Sequence, residues 1–240
     1  MNKLNAVYVS LVALVISIVA LVMTFCCGNK GGSVNVEEAL MENPSIVVEA
    51  LKAHDAKLKE EALKALEENI KSSAEELNNR ADDGIIANPE GKLVMVEFFD
   101  FACSYCNKIY PALKEIIAKN PDVKFVAKPM AFLSPASKYA AEAALAAKEQ
   151  GKFAEIYSGL FEKEGRLSEA KVDEVAAAAG LDMVKLKEDM KSAKVQDTLN
   201  AVSDLARKIQ VNGVPSLVFN NKVLQTLDAE VIQKAIDEAK

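Results

Sequence analysis

The run Leu93-Val94-Met95-Val96-Glu97-Phe98-Phe99 constrains the fold of this chain more than any other segment. It is too short to span a membrane, and its nearly unbroken apolar character is that of a central strand buried on both faces. Turn signals at Asp83-Gly84 and Asn88-Pro89-Glu90-Gly91 set it off from what precedes it. Beyond it Ile109, Tyr110, Leu113, Ile116 and Ile117 recur with helical spacing. After the Asn120-Pro121-Asp122 turn, Val123 to Ala127 reads as a second strand. Strand, helix and strand at this spacing form a βαβ unit. At the first junction stand Cys103-Ser104-Tyr105-Cys106.

From Pro135 to about Ile209 the chain reads as helix: Ser137 to Gln150, Phe153 to Phe161, Ser168 to Ala179, Met183 to Met190 and Val195 to Ile209. Gly151, Gly165 and Gly180 are the stops and Ser168 is a cap. Strand character returns at Pro215 to Phe219 and Lys222 to Leu227, joined by Asn220-Asn221 as a tight hairpin turn, and a helix from Asp228 closes the chain. The expected fold class is therefore α/β: a βαβ half and a ββα half around a helical insertion at about 133–209, all within a domain over 83–240.

Two segments precede this domain. Ala6 to Cys27 carries no charge and is dense in Val, Leu and Ile. As a helix of about 22 residues it spans roughly 33 Å, enough for a hydrocarbon core of about 30 Å. Met23, Thr24 and Phe25 are bulky where a signal peptidase needs small residues, which favours an uncleaved anchor over a removed signal peptide. Cys26 and Cys27 invite comparison with a lipidation site, but Phe25 stands where a small residue is required. The simpler reading is that two small apolar residues end the membrane helix. Residues 1–33 thus read as anchor and linker, and 34–82 as a helical arm restarted after Asn43-Pro44. Leu63, Leu66, Ile70 and Leu77 make a narrow stripe on the arm. Either it drives self-association, or it lies back on its own domain or spaces that domain from the membrane. His54, the one histidine, reads as a solvated surface residue, which leaves no base for a Ser-His-Asp or Cys-His hydrolase.

The chemistry falls to the cysteines. A net charge of −6 argues against nucleic acid as a partner, and four cysteines in 240 residues are no disulfide scaffold. With Cys103 on the first turn of a helix, its sulfur sits at the positive end of the helix dipole, where a thiolate is favoured and reactive. Cys106, one turn on, is the more buried and acts as the resolving thiol. A zinc site would need two more ligands than the domain offers unless it formed between chains. A structural disulfide this short would stabilise little. Glu97, the one charge in its strand, is placed to accept the Cys106 proton; the alternative is that it reaches a lysine or solvent at the sheet edge. Pro215 directly precedes a strand where a cis peptide makes a tight turn, leaving Val214 to offer its backbone to an extended substrate.

The motif from Val96-Glu97-Phe98-Phe99-Asp100 into Cys103-Ser104-Tyr105-Cys106, the later Asn212-Gly213-Val214-Pro215 and the helical block between them resemble the DsbA-like branch of the thioredoxin superfamily. The resemblance implies a thioredoxin fold with a helical insertion, acting outside the cytoplasm on cysteine-containing protein substrates. It further implies a redox-active disulfide of Cys103 and Cys106, with Cys103 the nucleophile, Cys106 the resolving cysteine, Pro215 the facing cis-proline and Glu97 the buried acid. Ser104, Tyr105 and Val214 are then substrate-facing, no cofactor or metal is implied, and the redox partner is a membrane protein of DsbB or DsbD type. The arm resembles that of ScsC-type members, which drives self-association and accompanies isomerase activity. Two departures bear on direction. Ser104 and Tyr105 stand where strong oxidases carry Pro and His, which moves the expectation toward isomerase or reductant, whereas Val214 resembles the oxidases. An oligomeric chaperone or adaptor, or a copper(I)-handling module using the same thiolates, are the alternative readings.

Overall fold

In the computed structural model, residues 41–224 and 226–240 are described. They fall into a unit ending at Leu58 and a unit running from Lys59 to Lys240. Helix α1 (Ser45–Ser72) begins in the first, where its residues, His54 included, are exposed. The expected membrane helix, Cys26 and Cys27 lie outside the described residues. Among the described residues no helix is long and apolar enough to cross a membrane.

The second unit is built on a five-stranded sheet ordered β1-β3-β2-β4-β5: β1 (Gly84–Ala87), β2 (Leu93–Phe99), β3 (Val123–Pro129), β4 (Ser216–Phe219) and β5 (Lys222–Val223). Strand β2 pairs parallel with β3 in the register Leu93↔Val123 to Phe99↔Pro129, and antiparallel with β4 through Met95↔Phe219 to Phe98↔Ser216. Helix α3 (Ser104–Lys119) makes the crossover between β2 and β3. The expected βαβ unit is therefore present, with the apolar run at the centre of the sheet.

Successive residues of β2 serve opposite faces, as the period of two requires. Val96 and Phe98 pack with Ile70 of α1, Leu77 of α2 (Ala74–Asn78) and Val202 and Leu205 of α8 (Ala193–Lys208). Met95 packs on the other face with Leu113 and Ile116 of α3 and Ile232 and Ile236 of α9 (Ala229–Asp237). Phe99, farther along, faces the helical block. That block comprises α4 (Pro135–Ala147), a short 3-10 turn, α5 (Phe153–Glu162), α6 (Glu169–Ala178), α7 (Met183–Asp189) and α8. Gly151, Gly165 and Gly180 all take positive φ and Ser168 caps α6, as expected.

The structure adjusts three expectations. The arm's stripe divides: Ile70 and Leu77 are buried against their own sheet, while Leu63 is 54% exposed. Residues beginning at Gly84 form strand β1 rather than only a turn. The glycine is needed there because a Cβ would fall 1.9 Å from the Phe153 ring, so α5 closes directly on the strand. The second strand of the terminal hairpin is also short, Lys222–Val223, after a turn whose Asn220 and Asn221 both have positive φ.

On the α1 and α2 face, Lys128 of β3 is fully buried, ion-paired with buried Asp83 and donating to the Glu76 carbonyl at 3.1 Å. Burial drives the Lys128 ammonium downward in pKa and the Asp83 carboxyl upward, and their mutual attraction opposes both. Removing one member leaves a buried charge uncompensated, at a cost of about 3–5 kcal/mol. Lys128→Met should therefore lose about that much stability in urea unfolding, and Lys128→Met combined with Asp83→Asn should recover most of it.

Candidate active site

Strand β2 ends at Phe99, and the chain turns through Asp100, Phe101 and Ala102 before entering α3. Asp100 organises this turn. Its buried carboxylate accepts from the Ala102 amide at 2.8 Å and from the Phe132 and Leu133 amides at 3.0 and 3.1 Å, and its carbonyl accepts from Cys103 N at 2.9 Å. Sequence reasoning quoted Asp100 but gave it no task. An acid directly after a buried apolar run was the available signal.

Cys103 is the N-cap of α3, and Cys106 lies on its first turn. Both are free thiols. Cys103 retains 6% exposure and Cys106 none, so an incoming disulfide meets Cys103 first. The Cys103 Sγ donates to the carbonyl of Val214 at 3.4 Å, and the Val214–Pro215 peptide is cis. The turn before β4 is thus brought against the cysteine from more than a hundred residues away in sequence. Ser104 is exposed and Tyr105 is 65% exposed. Beside them Phe132 and Leu133, 55% and 47% exposed, form an apolar rim. A groove of about 990 Å³ runs from Ala102, Ser104 and Asn107 past Leu133 to Arg166 and Lys171 of the helical block.

Glu97 is 3% exposed on the central strand, paired with Ala127 and Leu217 on either side, so it reaches neither a sheet edge nor solvent. Among the described residues no lysine pairs with it, and Lys128 of the adjacent strand is paired with Asp83. Its Oε2 instead accepts from the Tyr157 hydroxyl of α5 at 2.5 Å. Burial raises the Glu97 pKa from 4.5 to about 7, against the lowering effect of the Tyr157 bond. Burial likewise pushes the Cys106 thiol far upward, with Glu97 and Cys103 adding to the rise and the Asp100 backbone bond opposing it. Cys106 therefore needs a base to react, and Glu97 is a carboxyl that changes charge near neutrality. Tyr157 escaped sequence reasoning because it sits in the inserted block with nothing in its local pattern to mark it.

The fold has its counterpart in known proteins. Residues 79–238 match the Thioredoxin family model. The chain belongs to the thioredoxin family. Among solved structures it is similar to a thioredoxin-like oxidoreductase from Silicibacter pomeroyi, at 32% identity and a TM-score of 0.65, over 69% of this chain and 96% of that one. It is also similar to Proteus mirabilis ScsC in a transitional conformation, at 27% identity and a TM-score of 0.66, over 85% and 92% of the two chains. A curated relative, the "probable disulfide bond formation protein D" of Bacillus anthracis, is 25% identical over 64% of this chain and 76% of its own length. Curated sodium/proton antiporters, among them NhaA 3 of Salinispora tropica, match too, but the chain spans only 21% of that protein's length. The resemblance to DsbA-like and ScsC-like oxidoreductases thus holds on fold and family.

A carboxyl with a raised pKa destabilises the fold as pH rises. Between 4.5 and about 7 the folded chain holds a proton that the unfolded chain has released, so stability falls across that window and stays lowered above it. Measured against Glu97→Gln, the parent should lose about 3 kcal/mol over this window. Urea titrations of the reduced proteins at several pH values read the difference directly.

Proposed function

We propose that this protein is an extracytoplasmic thiol-disulfide oxidoreductase, acting as a disulfide oxidase or isomerase on protein substrates through Cys103 and Cys106. The observation that carries the reading is the meeting of two elements at one sulfur, the N-terminus of α3 and the cis Val214–Pro215 turn, with an open groove beginning at the neighbouring Ala102 and Ser104. In the reductive half-reaction, the Cys103 thiolate attacks a substrate disulfide, one substrate sulfur leaves as thiolate, and a mixed disulfide remains. Cys106 gives its proton to Glu97 and attacks the Cys103 sulfur, which releases the second substrate thiol and leaves the Cys103–Cys106 disulfide. The same steps reversed oxidise a substrate dithiol. The potential of the couple relative to its partner sets the direction.

Val214 and Pro215 offer main-chain groups to an extended substrate, flanked by Ser104 and Tyr105. The apolar rim and the groove suit an unfolded or loosely folded chain. Placement outside the cytoplasm is supported by the uncharged run at Ala6 to Cys27, read as an anchor, and by similarity to a periplasmic thioredoxin-like protein from Salmonella enterica. A membrane protein of DsbB or DsbD type is the expected redox partner. The exposed apolar residues of α1, Val47, Val48 and Leu51 among them, support self-association through the arm.

Two variants test the central claim. Cys103→Ser should reduce the reshuffling of a scrambled disulfide protein to the rate without enzyme. Cys106→Ser should accumulate a covalent mixed disulfide, visible on non-reducing gels and cleared by dithiothreitol. Full activity in Cys103→Ser would overturn the assignment.

A further inference from the structure

We propose that Tyr157 is a positioning residue for the resolving step: its hydroxyl holds the Glu97 carboxylate as acceptor of the Cys106 proton and ties that step to the docking of the helical block. This rests on the exchange reading above and adds to it a residue from outside the βαβ and ββα halves. Tyr157 is 1% exposed on α5, and its hydroxyl reaches Glu97 of β2 at 2.5 Å. Its ring sits in an aromatic cluster, 5.2 Å from Phe99, 5.0 Å from Phe161 and 5.9 Å from Tyr110. Phe99 belongs to the central strand and Tyr110 to α3, while Phe161 lies on Tyr157's own helix, so the ring is held from two elements besides α5. Moving the helical block moves the donor.

Few other groups compete for Glu97. From α3 the titratable neighbour of Glu97 is Cys106, whose proton it takes, while Tyr110 neighbours Tyr157 and has its hydroxyl engaged by Glu162 at 2.8 Å. Its strand partners in β3 and β4 are Ala127 and Leu217. A closed pocket beside it is lined by Ile86, Met95, Leu113 and Phe125, with Glu97 and Tyr157 contributing the polar side chains. Burial and the adjacent Glu97 charge hold the tyrosine pKa well above 10, so it stays protonated and acts only as a donor. During resolution the Cys106 proton passes to the Glu97 carboxylate, the Cys106 sulfur bonds to the Cys103 sulfur, and the substrate sulfur leaves with the electron pair. Tyr157 keeps its proton throughout. Its bond favours the charged form of Glu97 and so lowers the pH at which the base becomes available.

The test uses the full chain carrying Cys26→Ser and Cys27→Ser, so that only the active-site pair reacts. Reduced protein is mixed with 5,5′-dithiobis(2-nitrobenzoate). The first thionitrobenzoate is released as Cys103 forms a mixed disulfide, and the second as Cys106 resolves it. The rate of the second release should rise with pH through a midpoint near 7 in the parent. Tyr157→Phe should move that midpoint up by about one pH unit or more, the value of a hydrogen bond to a charged group. Tyr110→Phe, which alters the same cluster without touching Glu97, should leave it in place. Glu97→Gln should lose the transition. An unshifted midpoint in Tyr157→Phe, with the transition lost in Glu97→Gln, overturns the role of Tyr157 and leaves Glu97 as the base. A parent-like transition in Glu97→Gln overturns the base assignment itself. Should Tyr157→Phe fail to fold, replacing tyrosine with 3-fluorotyrosine strengthens the donor in an intact core. The midpoint then falls, and an unchanged or raised midpoint refutes the proposal.

Discussion

Strand β2 is hydrogen-bonded along both edges, and this pairing is the constraint on which the rest of the molecule depends. A strand with no free edge and helices on both faces sends its side chains, here Met95 to Phe99, into the interior, so its composition must be mainly apolar. A single carboxyl on such a strand loses its hydration and cannot recover it by moving. Its protonation is then set by that burial, which raises the pKa, against the Tyr157 hydroxyl, which lowers it. The same strand delivers the chain to the turn that begins α3, so the Cys103 sulfur and the Glu97 carboxyl are fixed by one backbone segment.

The two faces of the sheet treat buried charge differently. On the α1 and α2 face, Lys128 and Asp83 neutralise one another beside the Glu76 carbonyl, an arrangement suited to holding the end of the arm on the domain. On the face toward the helical block, Glu97 has a neutral donor instead of a cation. A cation there would keep the carboxylate charged throughout the neutral range. A hydroxyl stabilises the anion less, and so leaves the acid able to exchange its proton near pH 7. One side of the sheet therefore holds a neutralised ion pair, the other a lone carboxyl with a raised pKa.

Much of this was legible in the sequence, because the decisive signals were local. The apolar run, the CxxC at its end, the helical spacing after it and the Asn220-Asn221 turn each depend on neighbours a few residues away. The glycine stops and the Ser168 cap were legible for the same reason. What escaped were relations across distance. Tyr157 meets Glu97 sixty positions earlier, and Lys128 meets Asp83 across forty-five. Strand β1 was hidden because four residues opening on a glycine look like a turn until α5 is seen against them. The arm's stripe misled in part, since a row of leucines does not declare which of them will find its own domain and which will stay in solvent.

Asp100 holds the loop at Phe132 and Leu133 through main-chain amides alone. Nothing in that attachment depends on which side chains the loop carries. The rim beside the cysteine can change residue by residue while the turn that presents the sulfur keeps its shape. Substitutions at these two positions can therefore alter what the rim offers to a neighbour while leaving the turn before α3 in place.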